Sequence, residues 1–136
     1  MGLVQGDKNL KSKLVVDTPA NIMMIDELME LFDGILINTL NLTQLVLGVD
    51  RYSIKISRLF NMMDDGVKRM IKLAIDGARK YNKGVSIIGE HKFFSKYLIE
   101  NSDFLKFLLE NKVDSITINP EDFVAFKLML SNIEKE

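Results

Sequence analysis

Leu14-Val15-Val16-Asp17-Thr18-Pro19 places three apolar residues in a row, two of them β-branched, ahead of an aspartate, a threonine and a proline. A run without apolar–polar alternation is the pattern of a parallel strand covered on both faces. Pro19 keeps Thr18 out of the α region, so the strand has to finish there. The same unit returns three times. Ile35-Leu36-Ile37 follows Gly34 and ends at Asn38-Thr39. Val85-Ser86-Ile87-Ile88 follows the helix stop Asn82-Lys83-Gly84, and Ser115-Ile116-Thr117-Ile118 ends at Asn119-Pro120.

The segments between these runs have helical spacing. Ile22, Ile25, Met29 and Phe32, with Leu28 beside them, face away from Asp26, Glu27 and Glu30, which predicts an amphipathic helix. Leu40 to Ser57 is less periodic, with Gly48 and the polar cluster Asp50-Arg51-Tyr52-Ser53, and predicts one short helix and a surface loop. Asp64-Asp65 offers N-cap chemistry to a long helix whose buried stripe is Val67, Met70, Ile71, Ala74, Ala78 and Tyr81. A further helical region from about Phe93 to Asn111 is interrupted at Asn101-Ser102-Asp103, where Asp103 is placed to cap a second piece. Pro120 sits at a favoured first helical position, followed by Glu121 and Asp122, and Phe123, Phe126, Leu130 and Ile133 line the last helix. Four strand–helix units give an α/β fold with a parallel sheet. The chain is expected to be one domain over residues 1–136, with 1–12 as a loose lead-in.

Composition narrows the function classes. The chain has 136 residues, 47% hydrophobic and 27% charged, which is enough to bury a core. Lys plus Arg is 18 against Asp plus Glu 19, a net charge of -1, which argues against nucleic acid or an anionic membrane surface as the main partner. With no cysteine there are no thiolate metal sites or cysteine nucleophiles, and one histidine excludes a multi-histidine site. The residues from Met1 to Lys8 have no long apolar core, and no run reaches the roughly 18 apolar residues of a membrane span, so a cytoplasmic location is expected.

In a parallel α/β fold, ligands bind at the carboxyl ends of the strands. Those ends are Asp17-Thr18, Asn38-Thr39-Leu40-Asn41, Gly89-Glu90-His91 and Asn119-Pro120. Such a rim of carboxylates, amides and a histidine has the oxygen donors for Mg²⁺ and a small anion. The plainer reading is that these residues cap the turns. His91 has no evident partner, Asp50-Arg51 is most simply a surface ion pair, and Lys8, Lys11 and Lys13 stay hydrated. Met23-Met24 and Met62-Met63 are expected in the core. There is no GxGxxG, P-loop or GxSxG pattern.

Read in order, Val15-Val16-Asp17-Thr18-Pro19-Ala20-Asn21, Phe32-Asp33-Gly34, the run Leu42 to Arg51 (LTQLVLGVDR), Gly89-Glu90-His91 and Ser115 to Pro120 resemble one known family. It is the phosphoenolpyruvate-utilising family of phosphoenolpyruvate synthase and pyruvate phosphate dikinase, in the C-terminal part of its barrel. The resemblance implies a (β/α)8 barrel that binds pyruvate or phosphoenolpyruvate with Mg²⁺ and exchanges a phosphoryl group with a phosphohistidine on another domain. It assigns the metal ligands to Asp17, where the family has glutamate, and Asn41, where it has aspartate. It places vestigial substrate-binding positions at Thr39, Leu40, Asn41, Gly89 and Glu90, with Leu40 where the family has its substrate-contacting asparagine, and it puts the proton-donating cysteine on Ile88.

Those departures imply lost chemistry. One carboxylate holds Mg²⁺ weakly, and a hydrocarbon donates no proton. The implied role is a barrel segment inactive on its own that serves as a binding or interaction module, or else a product with no present role. The alternative is a subunit of a phosphotransferase that handles pyruvate or phosphoenolpyruvate with Mg²⁺ once another chain completes the barrel. A (β/α)8 barrel takes about 250 residues, so four units over residues 13–135 correspond to its C-terminal half. Such a half leaves two strand edges and an inner face open, with the Val15, Ile37, Ile87 and Ile118 neighbourhoods expected to point inward. A second copy closing the barrel, a complementary half-barrel chain, or flattening into an open layer would cover that face.

Overall fold

Each apolar run is a strand, and the four strands lie side by side in chain order. The computed structural model describes Val4, residues 6–89 and residues 91–133, without the side chains of Lys8, His91 and Lys92. The strands are β1 (Lys13–Val16), β2 (Gly34–Asn38), β3 (Gly84–Ile88) and β4 (Ser115–Ile116), all pairing in parallel. Order 1-2-3-4 without reversal is the arrangement of consecutive βα units in a partial (β/α) barrel, and it differs from a doubly wound sheet, which reverses at a switch point. β4 is shorter than its apolar run predicts. Beyond Ile116 only the Thr117 N–H continues the ladder, donating to the Ile87 carbonyl at 2.9 Å.

Register decides which side chains share a face, and it corrects the expected inner face. Val16 pairs with Ile37, Ile37 with Ile87 and Ile87 with Ile116. Val16, Ile37 and Ile87 are fully buried with Ile35 and Val85 on the helix-covered side. Val15 pairs instead with Leu36, and Leu36 with Ser86. Of the four residues expected to point inward, only Val15 lies on the open face, where it is 40% exposed. Ile37 and Ile87 are one residue out of phase with it, and a period of two sends them to the opposite side. Ile118 lies beyond β4 and packs against the core. The open face is partly polar. The Lys13 ammonium donates to Ser86 Oγ at 3.1 Å and the Ser115 hydroxyl lies 2.9 Å from the same oxygen, so Lys13 is engaged rather than simply hydrated.

The helices are α1 (Pro19–Met23), α2 (Ile25–Leu31), α3 (Thr39–Leu47), α4 (Asp65–Lys80), α5 (His91–Glu100), α6 (Ser102–Glu110) and α7 (Phe123–Ile133). The single helix expected after Pro19 is two, bent at Met24. Ile22, Ile25 and Met29 keep the buried stripe across the bend. Met23 and Met24 are 82% and 55% exposed, against the expectation of core positions, because the stripe passes on either side of them. Met62 is fully buried as expected. α4 starts from an Asp64 cap whose carboxylate accepts from the Gly66 N–H at 2.8 Å, and its Val67, Ile71, Ala74 and Ala78 are all fully buried. At the α5–α6 break Asn101, not Asp103, is the cap residue, and Asp103 sits inside the first turn of α6. Pro120–Asp122 forms a 3-10 turn ahead of α7, and Phe123 is 54% exposed where the stripe predicted burial. Part of the lead-in is ordered too, with Asp7–Asn9 in a 3-10 turn. Among the described residues, no helix is long and apolar enough to cross a membrane.

Two aspartates at the amino ends of strands hold the sheet's lower edge. Asp33 accepts from the Ser12 N–H at 2.8 Å and returns its own N–H to the Ser12 carbonyl at 2.8 Å. Asp114 repeats the device between β3 and β4: its carboxylate accepts from the Val85 N–H at 2.7 Å and its N–H donates to the Val85 carbonyl at 2.8 Å. Arg79, in the last turn of α4, adds a 2.9 Å ion pair to Asp114 and a 2.6 Å bond to the Lys112 carbonyl.

The Arg79 guanidinium, followed by the Val85 N–H, holds the Asp114 carboxyl below its ordinary value. A lowered carboxyl contributes stability above its unfolded value, near pH 4, and loses it as the pH falls through the folded value. In urea titrations between pH 7 and pH 3, Asp114→Asn is expected to be less stable at neutrality and to lose less on acidification below about pH 4. Parallel pH profiles for the two proteins would reject this role.

Candidate functional site

The strand ends build a rim in which capping residues and chemically available residues separate cleanly. After β1, Asn21 Oδ1 accepts from the backbone N–H groups of Asp17 and Thr18 at 3.2 and 3.1 Å, and Thr18 Oγ1 accepts from the Asn21 N–H at 3.2 Å. Thr18 and Asn21 are therefore a capping box for α1, and the Asp17 carboxylate is left to reach toward the next strand. After β2 there is no loop. Asn38 caps α3, its Oδ1 accepting from the Asn41 N–H at 3.2 Å, so Asn41 stands in the first turn of the helix beside the end of β1.

The two residues meet directly. Asn41 Nδ2 donates to Asp17 Oδ1 at 3.1 Å, and Arg51 Nη1 donates to Asn41 Oδ1 at 3.2 Å. A carboxylate only accepts and a guanidinium only donates, so the amide orientation is forced from both ends. The result is a chain from the Arg51 cation through a neutral amide to the Asp17 anion. These residues do not fit a divalent cation. Mg²⁺ takes oxygen ligands, and here the amide presents nitrogen to the carboxylate while its oxygen is taken by a positive group. Among the described residues no cluster of three His, Asp or Glu side chains exists that could hold a metal ion.

The remaining rim positions divide between packing and cavity. Thr39 is fully buried, its carbonyl accepting from the Thr43 hydroxyl at 2.6 Å and its own hydroxyl without a hydrogen-bond partner among the described residues. Ile88 pairs with Asn38 at the end of β3 and is half-buried. A Cβ on Gly89 would overlap the Phe94 ring, so glycine there lets α5 pack against the strand end. Glu90 lies outside the described residues, as does the side chain of His91.

Leu40, 1% exposed, lines a cavity of about 770 Å³ between α3, the loop that follows it and α5. The loop supplies Arg51, Tyr52, Arg58 and Phe60, and α5 supplies Phe93 and Tyr97. The walls are pinned. Gln44 Oε1 accepts from the Arg51 N–H at 2.9 Å, and the Phe60 and Phe93 rings meet edge-on at 6.1 Å. The Tyr97 phenol is pushed up by burial, against a hydrogen bond with the Met62 backbone that lowers it. The Arg51 guanidinium lies 4.9 Å from the Tyr52 ring centroid.

Asp17, Asn41 and Leu40 are thus brought to one rim, whereas the expected Asp50–Arg51 ion pair does not form. Asp50 Oδ1 accepts from the Tyr52 N–H at 2.9 Å, and the Gln44 bond to the Arg51 backbone turns the guanidinium to Asn41 instead. Arg51, Arg58 and the aromatic walls were not legible as a site. The available signal was Gln44, seven residues before Arg51, within the run that carried the family resemblance.

Comparisons with known proteins agree with that run. A family model described as "PEP-utilising enzyme, PEP-binding domain" matches residues 2–135. Phosphoenolpyruvate synthase of Synechocystis sp. is 37% identical over 134 residues, and that of Escherichia coli 34% identical over 134. The synthase of Aquifex aeolicus is 34% identical over 135 residues. Each alignment takes in 98–99% of this chain but only 15–16% of the relative, so the chain spans about one sixth of these proteins.

The linked chain predicts coupling between its ends. Asn41→Leu strands both charged neighbours and is expected to cost about 1–2 kcal/mol in urea unfolding, typical for removing one partner of a charged hydrogen bond. Arg51→Met should cost less in the Asn41→Leu background than alone. Additive costs would mean that the two residues do not act together.

Proposed function

The chain belongs to the PEP-binding domain family of the PEP-utilising enzymes, and from that membership we propose that it is a barrel segment acting as a binding module rather than carrying out phosphoryl transfer. One observation carries the reading: the Asn41 amide, 3.1 Å from Asp17 and 3.2 Å from Arg51, stands where the resemblance assigns a second metal-binding carboxylate. The family uses Mg²⁺. Here the charge of Asp17 is met by an amide that Arg51 in turn orients, so the rim is compensated without a cation. Ile88 offers no proton at the position the resemblance assigns to a proton donor, since a hydrocarbon side chain has none to give. The scaffold that presents the rim is retained: parallel strands level at their carboxyl ends, with α3 starting directly from β2.

A second reading is favoured by the open face of the sheet. Val15 and Lys13 are exposed there, and the outer edges of β1 and β4 have no strand partner among the described residues. On this reading the segment is one part of a phosphotransferase that handles pyruvate or phosphoenolpyruvate with Mg²⁺, completed by the other half of the barrel from a second copy or a complementary chain. Light scattering across a concentration series is expected to give twice the chain's mass where a second copy closes the face. A constant monomer mass would remove self-closure.

Titration calorimetry tests the main reading. The chain is expected to give no heat with millimolar Mg²⁺, alone or with oxalate or pyruvate. Asn41→Asp sets two carboxylates side by side and is expected to gain Mn²⁺ binding, read from the loss of the free-ion resonance signal. Micromolar Mg²⁺-dependent oxalate binding by the unmodified chain would overturn the reading.

A further inference from the structure

The open face of the sheet carries a cation with no anion to meet it. Register puts Lys13, Gly34 and Gly84 in one row across β1, β2 and β3. Lys13 is the only side chain of that row, and a Cβ on Gly34 would stand 2.8 Å from the Gly84 carbonyl oxygen. The ammonium crosses the two glycines and donates to Ser86 Oγ at 3.1 Å. Ser86 is 3% exposed, and the Ser115 hydroxyl meets the same oxygen from β4 at 2.9 Å. An ammonium has three donors, so this contact leaves two to be met. Lys13 forms no ion pair among the described residues. Asp33 and Asp114 are one residue out of phase with Gly34 and Ser115, and they are engaged by Ser12, Val85 and Arg79.

Whatever covers this face takes the ammonium out of water. The interior of an eight-strand barrel is just wide enough for its side chains, so the covering surface lies against Lys13. A buried ion without an opposite charge is strongly unfavourable. A second copy does not supply that charge. A twofold axis along the barrel sets equal levels opposite each other, so each Lys13 would meet its own equivalent.

We propose that Lys13, held by Ser86 and Ser115, is a receptor for a carboxylate, and that this face docks a protein segment of different sequence whose Asp or Glu side chain lies over Gly34 and Gly84. The proposal rests on the reading that another barrel half covers this face, and it selects a complementary chain over a second copy. Lys13 is then the specificity element. It rejects the chain's own copy by like charge and accepts a partner that carries the opposite one. The glycines leave room for that side chain, and Ser86 keeps the ammonium directed across them.

The chain itself supplies the probe. A Lys13→Glu copy carries a carboxylate at the level where the partner's is required, and Lys13 is exposed, so the change leaves the core intact. In light scattering the unmodified chain and the Lys13→Glu chain are each expected to stay monomeric. Their equimolar mixture is expected to form a 1:1 dimer, about tenfold tighter or more than either chain with itself. Self-association of the unmodified chain as strong as that of the mixture would overturn the proposal, and so would a mixture no more associated than its components. In the second case Lys13→Met, which removes the charge, separates the two ideas. A Lys13→Met chain that dimerises means that the face closes and only the carboxylate receptor falls. A monomeric one removes the half-barrel reading as well.

Discussion

Parallel pairing of β1 with β2 sets Val16 opposite Ile37, and the position of every rim residue follows from that register. Asp17 comes one residue past the end of β1, while Asn38 closes β2 and caps α3 without an intervening loop. The carboxylate of Asp17 therefore has to settle against the first turn of α3. A half-buried carboxylate needs either a cation or hydrogen-bond donors around it, since removing it from water is costly otherwise. The first turn of α3 answers with the amide of Asn41. A carboxylate at that position would add like charge at hydrogen-bonding distance and call for an ion between the two. With an amide the need disappears, and Arg51 completes the chain from the far side.

The opposite end of the sheet is built for cohesion instead. Asp33 and Asp114 each exchange a pair of hydrogen bonds with the backbone of the neighbouring strand, at Ser12 and Val85. The repetition between β3 and β4 means that the amino ends are locked by the same local chemistry in both halves of the sheet. Aspartates therefore do different work at the two ends. At the amino end they complete backbone pairing and hold register, and at the carboxyl end Asp17 is left over for side-chain chemistry. This division agrees with the general behaviour of parallel βα folds, in which the carboxyl-end loops vary with function while the other end maintains stability.

The strands and their order were legible because runs such as Leu14-Val15-Val16 and Ile35-Leu36-Ile37 are continuous and end at prolines, glycines or capping polar residues. That same continuity concealed the faces. With no polar residue to mark alternation, Val15 and Ile37 looked equivalent, whereas a single residue of phase puts one on the open side and the other in the core. The exposure of Met23 and Met24 depends on the bend at Met24, which is a tertiary outcome with no glycine or proline at that point to announce it. The Asp17–Asn41 contact was legible only as a pair of positions in a family pattern. Arg51 was not, because its role depends on Gln44 turning the loop. The cavity was less legible still, since Leu40, Arg58 and Phe93 come from three separate segments.

Arg51 joins the rim to the cavity. Its guanidinium is at once the far end of the chain from Asp17 and part of the cavity lining. The Asn41 amide gives the Arg51 guanidinium an acceptor at 3.2 Å, beside the mouth of the cavity. The rings continue inward from that mouth, with Phe93, Tyr97, Phe104 and Phe107 in successive contact at about 6 Å, so the cavity wall is an extension of the α5–α6 core. Phe104, fully buried, ties that wall to the core.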